Sequence, residues 1–364
     1  MPLPPVSLTS AVSCRHGDFA FDSDFDPDVP GGTLVKVGRW GWHLALVILF
    51  AVGVTVLFLQ EPGFGDDFTY WRFAFTLHER GLGAWLQLSF HDLRWPVWII
   101  CWIIQGLIGP GILSYYGEPI FYMAVGAALA FTFGRLITGS VAVAWAGAIA
   151  FLFHPLLDTV CYRPMPDLSE GVWGAASVLC WWMLMRAPSQ LSSIVWAALT
   201  GLCICIGEAN RIMGAFIVPV LILCTLLFAR RRFGWLVVAG GFTIFFYGLE
   251  SVFYHWLFKD WLQDVHANMG NAGHKGTESV ALSKLPTRFL GSFYRAWSVT
   301  TAYSVFALLG IGATCLRRPA QSDGTSTISA HSSLGPTQLA RVMAVWMVAL
   351  YFEYSCSLQS IHPP

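Results

Sequence analysis

Residues 94–117 read "RWPVWIICWIIQGLIGPGILSYYG". The apolar part, 96–113, is nearly as long as the roughly 20 residues that cross a hydrocarbon layer as a helix. Its ends argue against a simple span. It opens on Pro96 and closes on Gly109–Pro110–Gly111, a run that stops helices. Whether this stretch crosses decides the sidedness of everything that follows it.

The segment 41–60 reads as a first span, and Lys36 and Arg39 precede it. Basic residues mark the cytoplasmic side, so the N-terminus is expected inside and "GDDFTY", residues 65–70, outside. The apolar segment 118–134 ends at Arg135, which the same rule places inside. Between Asp67 and Arg135 the chain must therefore cross an odd number of times, yet two apolar segments lie there. The reading that satisfies the charges keeps 96–113 as an embedded or interfacial helix on the outer side.

The further segments 139–157, 168–185, 191–207, 212–229, 235–255, 290–316 and 342–360 then alternate, giving about nine crossings in all. Arg186, Arg230–Arg232 and Arg317–Arg318 fall inside, and the C-terminus falls outside. The outer loop 256–289 carries Lys259, Lys275, Lys284 and Arg288, against the rule locally.

Composition agrees. Hydrophobic residues are 55% of the 364, charged residues only 12%, and mean hydropathy is +0.59. A soluble domain carries about twice that charge fraction. The expected class is an all-α polytopic membrane protein. Net charge is zero and no basic block stands out, which argues against nucleic acid as a partner. The cysteines lie mostly inside apolar runs; Cys203 and Cys205 read as small buried residues, not redox or metal ligands. Residues 1–38, with "FDSDFDPDVPGG", lack the basic start and apolar core of a signal peptide and are expected to form a disordered cytoplasmic tail. No P-loop, dinucleotide fingerprint or nucleophile elbow is present.

The candidate chemistry lies on the outer side. Residues 67–80 are too short and charged to span; Phe68, Trp71 and Phe75 share one helical face, as in a helix lying along the membrane surface. Asp66 and Asp67 stand at its start, where they serve either as a cap or as catalytic carboxylates. Asp158 reads as a solvated loop carboxylate. In "YRPMPDLSEGVW", Asp167 opens the next span, with Glu170 three residues on in a box-like pattern. In "GEANRIMG", Glu208 and Arg211 interrupt an apolar run, either as a self-neutralising turn or as an arginine holding a phosphate. Arg94 either snorkels to headgroups or binds an anionic ligand. His255, His266 and His274 show no zinc spacing and read as loop histidines.

Together these features resemble the GT-C glycosyltransferases that use polyprenyl-phosphate sugars, in the branch of the dolichyl-phosphate-mannose–protein mannosyltransferases and aminoarabinose transferases. The resemblance covers roughly residues 40–230 and rests on the order of short motifs. The family's outer-loop Asp-Glu, two residues, then Tyr is matched by Asp66, Asp67 and Tyr70, with Asp in place of Glu. Its second-loop Asp matches Asp167. The Lys of its Thr-Lys-Gly stretch falls at Arg211, preceded by Asn210. The chain stops at "SIHPP", about where relatives continue with further spans, so a short, truncated or inactive member is expected.

The resemblance implies a GT-C-like bundle over 39–316 with outer loops 61–96 and 256–289, a cytoplasmic loop 317–340 and a final span within 341–364. It implies a multi-pass protein of a bacterial inner membrane with an extracytoplasmic site. The implied activity is inverting transfer of a sugar from a polyprenyl-phosphate donor to a hydroxyl of an unidentified acceptor. Asp66, Asp67 and Asp167 are then the candidate catalytic residues, and Tyr70, Arg94, Glu208 and Arg211 the candidate binding residues. A divalent metal is a candidate cofactor, which Asp167 would share with Asp66. The alternative is a non-catalytic or transport protein for lipid-linked substrates.

Overall fold

The structure, a computed structural model, describes residues 32–63, 65–81, 83–84, 90–154, 163–267 and 337–345. Among these there is no strand. In chain order the helices are α1 (Gly32–Leu57), α2 (Asp66–Arg80), α3 (Trp95–Ile108), α4 (Ile112–Thr138), α5 (Val141–Leu152), α6 (Pro166–Arg186), α7 (Gln190–Asn210), α8 (Ile217–Phe228) and α9 (Phe233–Phe258). Four stretches are long and apolar enough to cross a membrane: Trp40–Leu57, Ile112–Thr138, Gln190–Asn210 and Arg230–Phe258. Apolar but shorter are Trp95–Ile108, Val141–Leu152 and Gly214–Phe228. The protein is thus an all-α membrane protein.

Two ends of the bundle can be told apart by side-chain contacts. Tyr115, in the first turn of α4, bonds Asp67, while Arg135 sits in the last turn of α4. That places Arg135 roughly 30 Å further along the helix axis. α6 and α7 form an antiparallel hairpin: α6 starts beside Asp167, α7 ends at Arg211, and these two side chains meet. At the opposite end Ser189 caps α7 by accepting from Ser192 N at 3.2 Å. There Arg232 donates to Ala187 O at 3.2 Å and ties the α8–α9 turn to the α6–α7 turn. One end therefore gathers carboxylates and the other gathers arginines.

The disputed stretch 94–117 resolves in this frame. α3 packs antiparallel to the first turns of α4: Ile104 lies against Gly117, and the Tyr122 hydroxyl donates to Pro96 O at 2.9 Å. α3 reaches no deeper than about three turns into α4. Its 14 residues extend about 21 Å, short of the roughly 30 Å hydrocarbon core. Both ends of the stretch meet α2, Arg94 at Tyr70 and Ser114 at Trp71.

Close backbone approach holds the bundle together, as expected where lipid supplies no hydrophobic drive between helices. A Cβ on Gly201 of α7 would lie 2.7 Å from Thr243 N and 2.8 Å from Ala239 O of α9. One on Gly134 of α4 would lie 2.8 Å from Ala144 Cα of α5. α6 is the central helix. Trp181 and Trp182 are buried, and Trp181 Nε1 donates to Thr225 Oγ1 of α8 at 2.9 Å. Truncating such a tryptophan costs about 3–5 kcal/mol.

Some boundaries differ from expectation. Residues 32–38, read as the end of the tail, belong to α1. α9 runs to Phe258, into the stretch read as an outer loop from 256, and 263–267 is helical again. The helical stretch 337–345 straddles the expected boundary at 340/341. The expected span 290–316, Asp158 and His274 lie outside the described residues.

Candidate functional site

α2 positions the site, and its two acidic residues do different work. The helix N-cap is Gly65, which makes no side-chain cap, so Asp66 is not the N-cap. The capping bonds are made by Asp67 instead. Its Oδ2 accepts from Gly63 N at 2.9 Å and from the Tyr115 hydroxyl, and its Oδ1 accepts from Gly65 N at 3.1 Å. Asp67 is buried, with Arg163 Nη1 close by, 3.0 Å from where a Gly63 Cβ would stand. Its carboxylate is occupied in fastening the loop before α2 onto α4. Asp66, one residue earlier and 57% exposed, faces outward with Oδ1 3.6 Å from His91 Nε2.

α2 turns Asp67, Tyr70, Phe73 and Ala74 inward, the spacing of one helical face. The adjoining side carries the aromatic stripe Phe68, Trp71 and Phe75, with ring centroids 5.5 and 6.1 Å apart. Trp71 Nε1 is anchored on Ser114 Oγ at 3.1 Å.

Tyr70 is the buried centre of the site. Arg94 Nη1 donates to its hydroxyl at 2.9 Å. An arginine can only donate, so the Tyr70 oxygen is the acceptor there and its proton is free to go to His91 Nδ1, 3.3 Å away. That bond requires an unprotonated Nδ1, which assigns the proton of neutral His91 to Nε2, the nitrogen facing Asp66. A chain Arg94–Tyr70–His91–Asp66 results. Burial pushes the Tyr70 phenol up from 10.0 to about 12; the charges of Arg94 and Arg211 oppose that rise and Asp66 adds to it. Tyr70 is therefore a neutral hydroxyl at physiological pH, and it feels both arginines and Asp66.

His91 and Arg94 are set by one 3-10 turn, Phe90–Leu93, closed by Arg94 N to His91 O at 3.2 Å. Trp98 Nε1 donates to Asp92 O at 2.8 Å and pins that turn to α3. Arg94 becomes the N-cap of α3, with a proline in the first turn. It binds Tyr70 rather than reaching away to headgroups.

Arg211 stands at the C-terminus of α7 in extended backbone, φ −156°. Its Nη1 donates to Asp167 Oδ1 at 2.5 Å, both side chains about a quarter exposed. Asp167 makes no cap bond: the N-cap of α6 is Met165, and the box-like pattern with Glu170 is not formed as a side-chain cap. Gly214 makes the geometry of Arg211 possible. The 3-10 turn after Arg211 folds back on α7 so tightly that a Cβ at Gly214 would lie 2.3 Å from Gly207 C and O. The self-neutralising Glu208–Arg211 pair is not formed. Glu208 instead faces the charges of Asp264 and Glu250, and its Oε2 is sealed without a hydrogen-bond partner.

Beside these groups an apolar groove of about 360 Å³ runs between α3, α7 and α9. Trp95, the residue after Arg94, and Ile206, near the end of α7, both line it. Its carboxylate is Glu250, whose Oε1 accepts from Trp95 Nε1 at 2.9 Å and from the Tyr254 hydroxyl at 3.0 Å.

The structure thus brings Asp66, Tyr70, Arg94, Arg211 and Asp167 into one neighbourhood. It gives Asp67 to the scaffold and turns Glu208 toward α9. Sequence reading missed two residues. His91 lies three before Arg94 in "HDLRWP", a spacing that a tight turn converts into a shared face. Glu118, wholly buried in α4 with both carboxylate oxygens unbonded, was visible as an ionisable residue at the head of an apolar run. Of the loop histidines, His255 stacks on Trp261 and His266 bonds Asp260 at 2.7 Å. Among the described residues no group of three or more His, Cys, Asp or Glu is arranged to hold a metal ion. No known protein family, curated protein or solved structure matches this chain.

Proposed function

We propose that the protein is a membrane glycosyltransferase that moves a sugar from a polyprenyl-phosphate donor to an acceptor hydroxyl. The observation that carries this reading is the placement of Arg94 next to Trp95, which lines the apolar groove, and on the same buried tyrosine that also feels Arg211 and Asp66. An amphiphile with a phosphate head and an isoprenoid tail matches that pairing of cations and groove.

In this reading the donor phosphate lies at Arg94 and Arg211, and the tail enters the groove. Asp66 takes the proton from the acceptor hydroxyl. The acceptor oxygen forms its bond to the anomeric carbon from the face opposite the phosphate, the bond from that carbon to the phosphate oxygen breaks, and polyprenyl phosphate leaves with the electron pair. The configuration inverts. The arginines stabilise the charge that grows on the leaving phosphate. Asp167 orients Arg211. His91, with its Nε2–H toward Asp66, holds that carboxylate in place. The site sits on the extracytoplasmic side if the Lys36, Arg39 and Arg135 end faces the cytoplasm.

The test incubates purified protein with radiolabelled polyprenyl-phosphate sugars and a lipid or peptide acceptor mixture. Release of free polyprenyl phosphate coupled to labelled product supports the reading; no turnover of any such donor counts against it. One observation favours the second reading, a transport role: Glu118 is a wholly buried carboxylate near the start of α4 with no basic partner among the described residues, as substrate or proton pathways use. Donor-independent flux of a lipid-linked substrate in proteoliposomes, lost in Glu118→Ala, would select it.

A further inference from the structure

The end of the bundle opposite the candidate site carries a second set of charges. Arg135 closes α4, Arg186 closes α6, Arg230–Arg232 join α8 to α9, and Arg341 lies in the helical stretch 337–345. Lys36 and Arg39 belong to the first turns of α1 at the same end. The apolar neighbours of these arginines converge in one core: Phe133, Leu184, Met185, Ala229, Leu339 and Val342. The basic residues therefore gather at one end of the bundle. Among the described residues no Asp or Glu lies at this end, because α4, α6, α7 and α9 all place their carboxylates toward the other.

Arg135 is the unusual member. It is only 9% exposed, and its Nε is sealed from solvent without a hydrogen-bond partner. A buried guanidinium with no acidic partner among the described residues is costly, and a bound anion would offset that cost. Others are engaged: Arg186 lies 5.5 Å over the Trp182 ring, and Arg232 donates to Ala187 O. Arg135 closes a helix long enough to span that packs on α5, whose outer flank is apolar and exposed at Val143, so an anion reaching it stands at the level of a lipid phosphate.

We infer that Arg135, at the basic end of the bundle, is a binding site for the headgroup of an anionic phospholipid. The phosphate accepts from the Arg135 guanidinium, and the acyl chains lie along the apolar helix faces. Nothing in this site depends on the glycosyltransferase reading.

The experiment uses the full chain in nanodiscs of phosphatidylcholine alone or with phosphatidylglycerol, and reads the thermal midpoint and the lipids retained in native mass spectra. Phosphatidylglycerol is expected to raise the midpoint by several degrees and to stay bound; inorganic phosphate added to phosphatidylcholine discs is expected to do neither. Arg135→Met should abolish the gain, Arg135→Lys should keep most of it, and the exposed Arg230→Gln should leave it intact. Equal midpoints in the two lipids, full retention of the gain in Arg135→Met, or the same gain from inorganic phosphate would overturn the inference. So would a lipid effect that emerges only after deletion of residues 1–31, since their aspartates would then be the occupant. If Arg135→Met does not fold, the wild-type comparison of the two lipids decides alone.

Discussion

Arg211 and Asp167 come from the end of one helix and the start of its antiparallel partner, 44 residues apart, and meet at 2.5 Å. The pair closes the α6–α7 hairpin at the end where Tyr70 also lies. With about a quarter of each side chain open to solvent, the guanidinium keeps donors for a second anion. Arg211→Gln is expected to lower transfer by about 10²–10³-fold through kcat, with Arg211→Lys in between because a lysine keeps charge but loses the fork. Asp167→Asn should raise KM and lower kcat less, since it only orients the arginine. Steady-state kinetics on the labelled donor decide. Equal losses in all three variants, tracking their thermal midpoints, would reduce the pair to scaffolding.

The neighbouring aspartates should separate cleanly. Asp67 accepts two backbone bonds and a tyrosine bond in a buried place, so Asp67→Ala strands those donors and should cost about 1–3 kcal/mol of stability. Asp66 makes one long contact to His91 at 3.6 Å and is 57% exposed. Asp66→Asn is expected to leave the thermal midpoint nearly unchanged while abolishing transfer. Thermal unfolding beside the transfer assay checks both. Unchanged transfer in Asp66→Asn would remove it as the base.

From the residues alone, without the spacing to Tyr70 that the family resemblance adds in favour of Asp66, this division was not legible. "GDDFTY" gives two identical side chains, and only the return of Tyr115 from α4 tells which one is consumed by the fold. The limits of α3 were legible, because Pro96 and "GPG" act locally. Asp167 and Arg211 were legible as interruptions of apolar runs. Their pairing with each other, instead of Glu208 with Arg211, depends on the tight Gly207–Gly214 approach, a long-range packing fact that no local pattern encodes. His91 was missed for the same reason: its role exists only once Tyr70 supplies a proton to Nδ1.

Tyr70 gives a prediction in pH. Its phenol is raised from 10.0 to about 12, chiefly by burial. A raised folded value means the contribution to stability is complete below the unfolded value near 10 and is lost as pH climbs toward 12. Ultraviolet difference titration should therefore show tyrosine ionisation well above the free range, and Tyr70→Phe should remove one equivalent of that late absorbance. Tyr70→Phe also removes the donor to His91 Nδ1, so the Asp66–His91 contact loosens and transfer should fall about tenfold or more. Transfer by Tyr70→Phe equal to wild type would dismiss the four-residue chain as incidental.

Gly214 offers the sharpest test of how the site is held. A Cβ there would lie 2.3 Å from the Gly207 carbonyl carbon and oxygen and 2.7 Å from Glu208 N, all backbone atoms. No rotamer change can relieve such a contact, so the 3-10 turn must swing away from α7 and carry Arg211 with it. Gly214→Ala is expected to cost about 1–3 kcal/mol and to separate Arg211 from Asp167. Gly234, near the start of α9, has open space where a Cβ would stand; Gly234→Ala should be neutral or stabilising by up to about 1 kcal/mol. Thermal midpoints of the two alanine variants, read with donor KM, make the comparison. If Gly214→Ala unfolds no earlier than Gly234→Ala and binds donor as wild type does, the turn is not what sets Arg211.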